Sequence, residues 1–180
     1  MWYKKPSKEE LNAQLIEAAE AGNIKNVKKL LKQGAEVDAR DNYGWTALMR
    51  AAMWGHLDVV KFLAELGADV NARDKLGWTA LMRAAMWGHL DVAKFLVDNG
   101  ADLSAMNNEG KTAATIARED YQYDIADYLD HLDSLARVKE RIDSVRKSNG
   151  SGLELRQEIR DILRTGKEQE YSITKHGVSY

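Results

Sequence analysis

The chain contains no cysteine among its 180 residues. It therefore forms no disulfide bond and offers no thiolate to a metal ion, a composition that fits a reducing compartment. No apolar run approaches the roughly 18 residues needed to cross a bilayer. The opening segment, MWYKKPSKEE, lacks the apolar core of a secretory signal. We therefore expect a soluble, cytoplasmic protein that does not contact a membrane.

An excess of charge of one sign is also missing. The 26 lysines and arginines nearly balance the 28 aspartates and glutamates, so the formal net charge is -2. A chain so close to neutrality has no general attraction to nucleic acid or to anionic lipid. With 44% hydrophobic and 30% charged residues, it has the composition of a folded globular protein. Nucleic acid is therefore excluded from the predicted partners.

Residue patterns that signal catalysis or metal binding are absent as well. The four histidines are scattered, and none has a serine or carboxylate neighbour at the spacing of a catalytic triad or a metal site. The sequence has no glycine-rich phosphate loop, and its acidic stretches lack the alternating ligands of a calcium loop. We predict no enzymatic activity, no cofactor and no metal, and we assign His56 and His89 structural hydrogen bonds.

One segment of sixteen residues, GWTALMRAAMWGHLDV, occurs twice without change, at 44–59 and at 77–92. The two copies start 33 residues apart, and glycines at the same spacing extend the register in both directions. These glycines are Gly22, Gly55 and Gly88 in one series, and Gly34, Gly67 and Gly100 in the other. A fixed period of this length indicates stacked supersecondary units.

Within each unit the residues predict a turn, a helix, a tight turn, a second helix and a loop. Gly44 suits a turn with positive φ, and Thr46 suits the N-cap of a short helix. Ala51 and Ala52 lie on the apolar side of that helix and allow close packing of its neighbours. Gly55 ends the helix, and HLDVVKFLAEL supplies the second one. A single pair cannot bury its own apolar face, so the units must stack.

The two units, DNYGWTALMRAAMWGHLDVVKFLAELGADVNA and DKLGWTALMRAAMWGHLDVAKFLVDNGADLSA, resemble ankyrin repeats. They share that family's Asp-x-x-Gly-x-Thr turn, its Gly-His link and its Gly-Ala-Asp loop. They depart from it at Ala47 and Ala80, where proline is usual, and at Met49 and Met82, where histidine is usual. The resemblance implies an all-α ankyrin-repeat solenoid of helix-turn-helix repeats with β-turn fingers.

We predict an ankyrin-repeat domain over residues 1–147. It comprises an N-cap at 8–40, repeats at 41–73 and 74–106, and a C-cap at 107–147. The N-cap lacks the Gly-x-Thr turn, and the C-cap has Tyr121 where the glycine between the helices belongs. The last helix is expected to extend to about Ser148 because no helix breaker precedes that residue.

Beyond the repeats, SNGSG at 148–152 predicts a flexible linker, and 153–180 predicts a helix followed by a short hairpin. Two interpretations of this tail stay open. The helix folds back on the extended helix, or the tail is a separate module, since LRQEIRDILRTGKEQEYSITKHG is similar to the prevent-host-death family of bacterial antitoxins.

Ankyrin repeats bind proteins or peptides through their turn tips and first helices, which line a concave groove, and the resemblance implies the same here. Tryptophan, tyrosine, methionine and arginine, which are enriched at interface hot spots, recur at these positions. The predicted protein-binding residues are Asn42, Tyr43, Trp45, Arg50, Met53, Trp54, Lys75, Leu76, Trp78, Arg83, Met86 and Trp87.

Three alternatives remain open at this level. In the first, the tryptophans stabilise the stack, with Trp45 packed on Trp78. In the second, the four rings of Trp45, Trp54, Trp78 and Trp87 form a cage for a cationic ligand. In the third, the long helix and tail build a homo-oligomer. The two central units agree at 24 of 33 positions. Such agreement indicates recent duplication or engineering, and we favour an engineered binder.

Overall fold

A computed structural model gives the structure of the chain and describes residues 6–148, together with Gln157 and Arg160. These residues form helices and no strand. The helices are α1 (Lys8–Glu20), α2 (Ile24–Gln33), α3 (Ala47–Met53), α4 (Leu57–Glu65), α5 (Ala80–Met86), α6 (Leu90–Asp98), α7 (Ala113–Glu119) and α8 (Tyr123–Ser148). The predicted all-α class and the extended last helix are confirmed. The predicted linker and helix-plus-hairpin tail lie outside the described residues, apart from Ser148, Gln157 and Arg160, which are helical.

The chain divides into two compact units, one ending at Leu129 and one beginning at Asp130. In the first unit, α1, α3, α5 and α7 pack against one another in succession, and we call them the inner helices. The first three inner helices each also pack against the helix that follows them. The sequence period of 33 residues therefore corresponds to one helix pair of the stack.

The inner helices of the central repeats begin at threonine caps. Thr46 Oγ1 accepts a hydrogen bond from the backbone N–H of Met49, and Thr79 Oγ1 accepts one from Met82, each at 3.3 Å. The first helix begins differently, with Ser7 and Glu10 bonding each other's backbone N–H in a capping box. The first helix is therefore capped by different residues from those that cap the inner helices of the central repeats.

Small alanines and unbranched methionines are prominent among the buried side chains of the central inner helices. Ala47, Ala51 and Ala52 are fully buried, and so are Met49 and, in the next repeat, Met82. The small alanines allow the inner helices to approach closely. The two methionines, which replace the family's usual histidine, are therefore core residues whose packing takes the place of a polar tie.

Histidines at the tight turns join each repeat to the one before it. His56 Nε2 donates a hydrogen bond to the backbone carbonyl of Glu20 at 2.9 Å, and His89 Nε2 donates to that of Met53 at 3.0 Å. The predicted structural hydrogen bonds are confirmed. Both bonds tie a turn to the last residues of the preceding inner helix.

The tight turn requires glycine for two reasons, its backbone conformation and the lack of space for a side chain. Gly55 has φ of 70°, and a Cβ atom there would lie 2.5 Å from the ring of His89. At the equivalent position of the last unit, Tyr121 adopts φ of 61° although it carries a side chain. The stack therefore imposes the left-handed conformation even where the residue disfavours it.

The second unit contains the rest of α8. Its described apolar side chains include Leu132, Val138 and Ile142, which are half-buried, and Leu135, which is 42% exposed. Within the described part of the chain, none of the helices combines the length and the apolar character that a bilayer crossing requires.

Replacement of Gly55 by alanine tests the link between turn and stack. We expect Gly55→Ala to lower the free energy of unfolding by about 2–4 kcal/mol, since alanine strains the left-handed turn and displaces the His89 ring. Gly67→Ala is the matched control, because Gly67 has φ of 84° but open space around its Cβ position. We expect it to cost only about 1 kcal/mol. Urea unfolding of both variants measures the difference, and equal losses would contradict the proposed steric role of His89.

Candidate functional site

Each central repeat starts with a turn, or finger, that one aspartate holds in shape. In the first finger (41–45), Gly44 donates its N–H to the Asp41 carbonyl, and Asp41 donates its own to the Trp45 carbonyl. Asp41 Oδ1 accepts the N–H groups of Tyr43 and Trp45 at 2.8 and 2.9 Å. The second finger (74–78) repeats these bonds around Asp74. The predicted β-turn fingers thus take their shape from a single carboxylate.

Neighbouring fingers are also bonded to each other. Lys75 donates its backbone N–H to the Tyr43 carbonyl at 3.1 Å, and Asn108 donates to the Leu76 carbonyl at 2.9 Å. The Arg40 guanidinium donates to the carbonyl of Arg73 at 2.6 Å. These bonds fix the spacing of the fingertips, which we define as Asn42, Tyr43, Lys75 and Leu76.

The same aspartates hold the arginines of the inner helices through their second oxygen. Asp41 Oδ2 lies 3.0 Å from Arg50 Nη2, and Asp74 Oδ2 lies 2.6 Å from Arg83 Nη2. Arg50 also lies 3.3 Å from a carboxylate oxygen of Glu20 on α1. Both arginines are therefore neutralised within the chain.

The paired arginines alternate with two tryptophan rings. The guanidinium carbon of Arg50 lies 4.2 Å from the Trp45 ring centroid, and that of Arg83 lies 4.0 Å from Trp45 and 4.2 Å from Trp78. We call this series, Arg50-Trp45-Arg83-Trp78, the Trp-Arg ladder. Cation–π contacts of this kind are worth about 0.5–2 kcal/mol each, depending on desolvation. The alternative in which Trp45 packs directly on Trp78 is corrected, because Arg83 lies over both rings.

Burial differs along the ladder. The side chains of Asp74 and Arg83 are 1% and 11% exposed, whereas those of Asp41 and Arg50 are 23% and 22% exposed. Burial lowers the pKa of Arg83, and its pairing with Asp74 opposes that effect. Asp74 and Arg83 therefore depend on each other more strongly than Asp41 and Arg50 do.

The pKa of Asp41 lies below its usual value. Burial alone raises this pKa, but the Trp45 N–H, the Arg50 guanidinium and the Tyr43 N–H together outweigh burial. Because the pKa is lower in the folded chain, this carboxylate stabilises the fold near neutral pH. The contribution is lost as the pH falls through the folded pKa.

Two further tryptophans lie at the other end of the inner helices. Trp54 and Trp87 are the C-cap residues of α3 and α5, and their rings stack with centroids 6.3 Å apart and planes 20° apart. Each is 49% exposed. Met53 and Met86 precede them and are half-buried. We define these four residues as the helix-end patch.

The twelve predicted residues thus fall into three groups. The fingertips are exposed, with Tyr43 at 70% and Leu76 at 62%. The ladder residues are half-buried, except Arg83, which is buried. The inner helix between a finger and the C-cap tryptophan has seven residues, a rise of about 10 Å. The structure therefore brings the twelve residues onto one row of helices but not into one patch.

The arrangement of the rings bears on the cation-cage alternative. Trp54 and Trp87 stack on each other, while Arg83 occupies the position over Trp45 and Trp78 that a cationic ligand would need. The four rings therefore do not enclose a common site. Among the described residues, histidines and carboxylates form no cluster suited to a metal ion.

Sequence reasoning left out the charged residues that border the helix-end patch. Glu20 and Glu119 hold the positions of Met53 and Met86 in the first and last inner helices. Asp120 is the C-cap residue of α7, as Trp87 is of α5. The 33-residue period is the signal that would have identified them.

Stacked helix pairs, hydrogen-bonded fingers and a repeated aromatic surface define a helical-repeat solenoid. The chain belongs to the ankyrin-repeat family, because the family model described as ankyrin repeats (many copies) matches residues 15–64, 48–97 and 81–129. Ankyrin repeats generally mediate protein–protein interactions, and such proteins are typically non-enzymatic scaffolds.

Among curated proteins, the chain is similar to the mitochondrial disaggregases of Bos taurus and Homo sapiens. The bovine protein is 52% identical and the human protein 50% identical, each over 46 residues. The match covers 26% of this chain and 6% of the length of either relative. The similarity therefore extends over little more than one repeat unit.

A double-mutant cycle tests the unequal burial of the two ion pairs. We expect a coupling energy of about 2–3 kcal/mol between Asp74→Ala and Arg83→Ala, since either single change leaves a buried charge without its partner. The same cycle on Asp41 and Arg50 is the matched control, and we expect about 1 kcal/mol there because water screens that pair better. Urea unfolding provides the energies. A coupling that is no larger for the buried pair would contradict the assigned role of Arg83.

Proposed function

We propose that the chain is a protein-binding scaffold that holds a protein or peptide on the helix-end patch, with the fingertips adding contacts. The observation that carries this proposal is the stacked pair of Trp54 and Trp87, each 49% exposed. Such rings bury a large area on binding at a small cost in conformational entropy.

The positions of the two rings support a role in binding. Both are C-cap residues, and the turns that follow them are held by glycine conformation and by the bond from His89 to the Met53 carbonyl. Trp45 and Trp78, by contrast, pack against the hydrophobic core. The fold therefore accounts for the ladder tryptophans, while an interface accounts best for the exposed pair.

The Trp-Arg ladder acts as the support of this surface in the proposal. Each arginine pairs with an aspartate of a finger and contacts a tryptophan ring. Their charges are already matched, so we assign Arg50 and Arg83 to positioning the fingers rather than to contact with the partner.

The function lies in binding and not in catalysis. The near identity of the two central units fits an engineered binder, and that origin stays a prediction.

Loss of the exposed rings should weaken binding strongly and leave the fold intact. Random peptides displayed on phage are selected on the immobilised full chain, and the dissociation constants of enriched peptides are measured. We expect Trp54→Ala with Trp87→Ala to weaken binding at least about 30-fold, as hot-spot residues do. The thermal stability should change by no more than the equivalent of about 1 kcal/mol.

Leu66→Ala is the matched control, because Leu66 is 50% exposed but lies at the end of the outer helix α4. It should leave binding unchanged. Enriched peptides that bind the double tryptophan variant as tightly as the original chain would refute the proposal.

A further inference from the structure

The helix-end patch is bordered by carboxylates on both sides of the stack. The C-cap residues of the four inner helices are Ala21, Trp54, Trp87 and Asp120 in order. The residues just before them are Glu20, Met53, Met86 and Glu119. The two central Met-Trp pairs are therefore flanked by acidic residues on both sides.

Over each border and the finger beside it, negative charges outnumber positive ones by one: Glu20 and Asp41 against Arg50, and Glu109, Glu119 and Asp120 against Lys111 and Arg118. Arg50 lies 3.3 Å from Glu20 but also 3.0 Å from Asp41, so two carboxylates share one cation. At the other border, Lys111 lies 2.7 Å from Glu119 and 3.1 Å from Glu109. The side chains of Glu20 and Glu119 remain 41% and 51% exposed. Each border can therefore accept a further cation from outside.

The direction of the helices adds to this charge. All four inner helices end at the same edge of the stack, and the C-terminus of a helix carries a partial negative charge. Glu20 lies in the last turn of α1, a turn that contains no basic residue, and Glu119 lies beside Arg118 in the last turn of α7; a carboxylate at this end of a helix is unfavourable. A cation bound beside these carboxylates would offset their unfavourable interaction with the helix ends.

Given the proposed function, we infer that the partner is a basic peptide segment, with lysine or arginine on both sides of an aromatic or aliphatic anchor. The anchor contacts Trp54 and Trp87, and the flanking cations contact the carboxylates at the two borders. Packed helices lie about 8–10 Å apart, so α1 and α7 are separated by about 25–30 Å. An extended segment of about eight or nine residues covers that distance.

The peptides from the phage selection test this inference. Only those that lose affinity for the Trp54→Ala, Trp87→Ala variant are analysed, so that the proposed function is established first. We expect lysine and arginine to be enriched on both sides of an apolar residue. We also expect their dissociation constants to rise at least about threefold between about 0.05 M and about 0.5 M NaCl.

A pair of charge variants locates the effect. Glu20→Gln with Asp120→Asn should weaken binding at least about threefold. Glu65→Gln with Asp98→Asn, which removes equal charge at the ends of the outer helices α4 and α6, should have no effect. Tryptophan-dependent peptides that are neutral or acidic would overturn the inference and leave the proposed function standing.

Two other outcomes overturn the inference as well. A selection that yields no tryptophan-dependent peptide refutes the proposed function and the inference together. Light scattering that finds an oligomer of the full chain, and a monomer of the double tryptophan variant, would make a second copy the occupant of the patch.

Discussion

One carboxylate in each central repeat performs two tasks, and the fingers and the Trp-Arg ladder depend on it. Asp74 accepts the N–H groups that shape its finger, and its other oxygen binds Arg83 at 2.6 Å. Arg83 then lies over the tryptophan rings of two successive repeats. The shape of a finger, the orientation of an inner helix and the contact between repeats are thereby set by one charge pair. The ladder ends at the last finger, where Asn107 accepts the same N–H groups but Ile116 takes the place of the arginine.

This arrangement explains why an identical motif contains two tryptophans with different roles. Trp45 is the last residue of the finger before the inner helix, where Arg50, Arg83 and the core hold it. Trp54 ends the same helix and stacks only on its counterpart from the next repeat among the ring pairs of the described residues. The first tryptophan takes part in the contact between successive repeats. We propose that this contact lets the second present a preorganised aromatic surface.

Much of the fold could be predicted because its signals are local. The caps at Thr46 and Thr79, the left-handed Gly55 and the histidine bonds follow from residue type and from the 33-residue period. The ladder could not be predicted, because spacing gives a residue's position in the repeat and not the direction of its side chain. Arg83 reaches the ring of the preceding repeat as well as its own. The acidic borders are not marked by the repeated motif, because Glu20 and Asp120 lie in the end units, where that motif is absent.

Acrylamide quenching of tryptophan fluorescence distinguishes the supporting pair of tryptophans from the exposed pair. Trp2 is replaced by phenylalanine in two variants of the full chain, one also lacking Trp45 and Trp78 and the other also lacking Trp54 and Trp87. Emission from the remaining pair should be quenched readily when that pair is Trp54 and Trp87, and weakly when it is Trp45 and Trp78. Equal quenching of the two pairs, with both variants folded by circular dichroism, would contradict this division of the tryptophans.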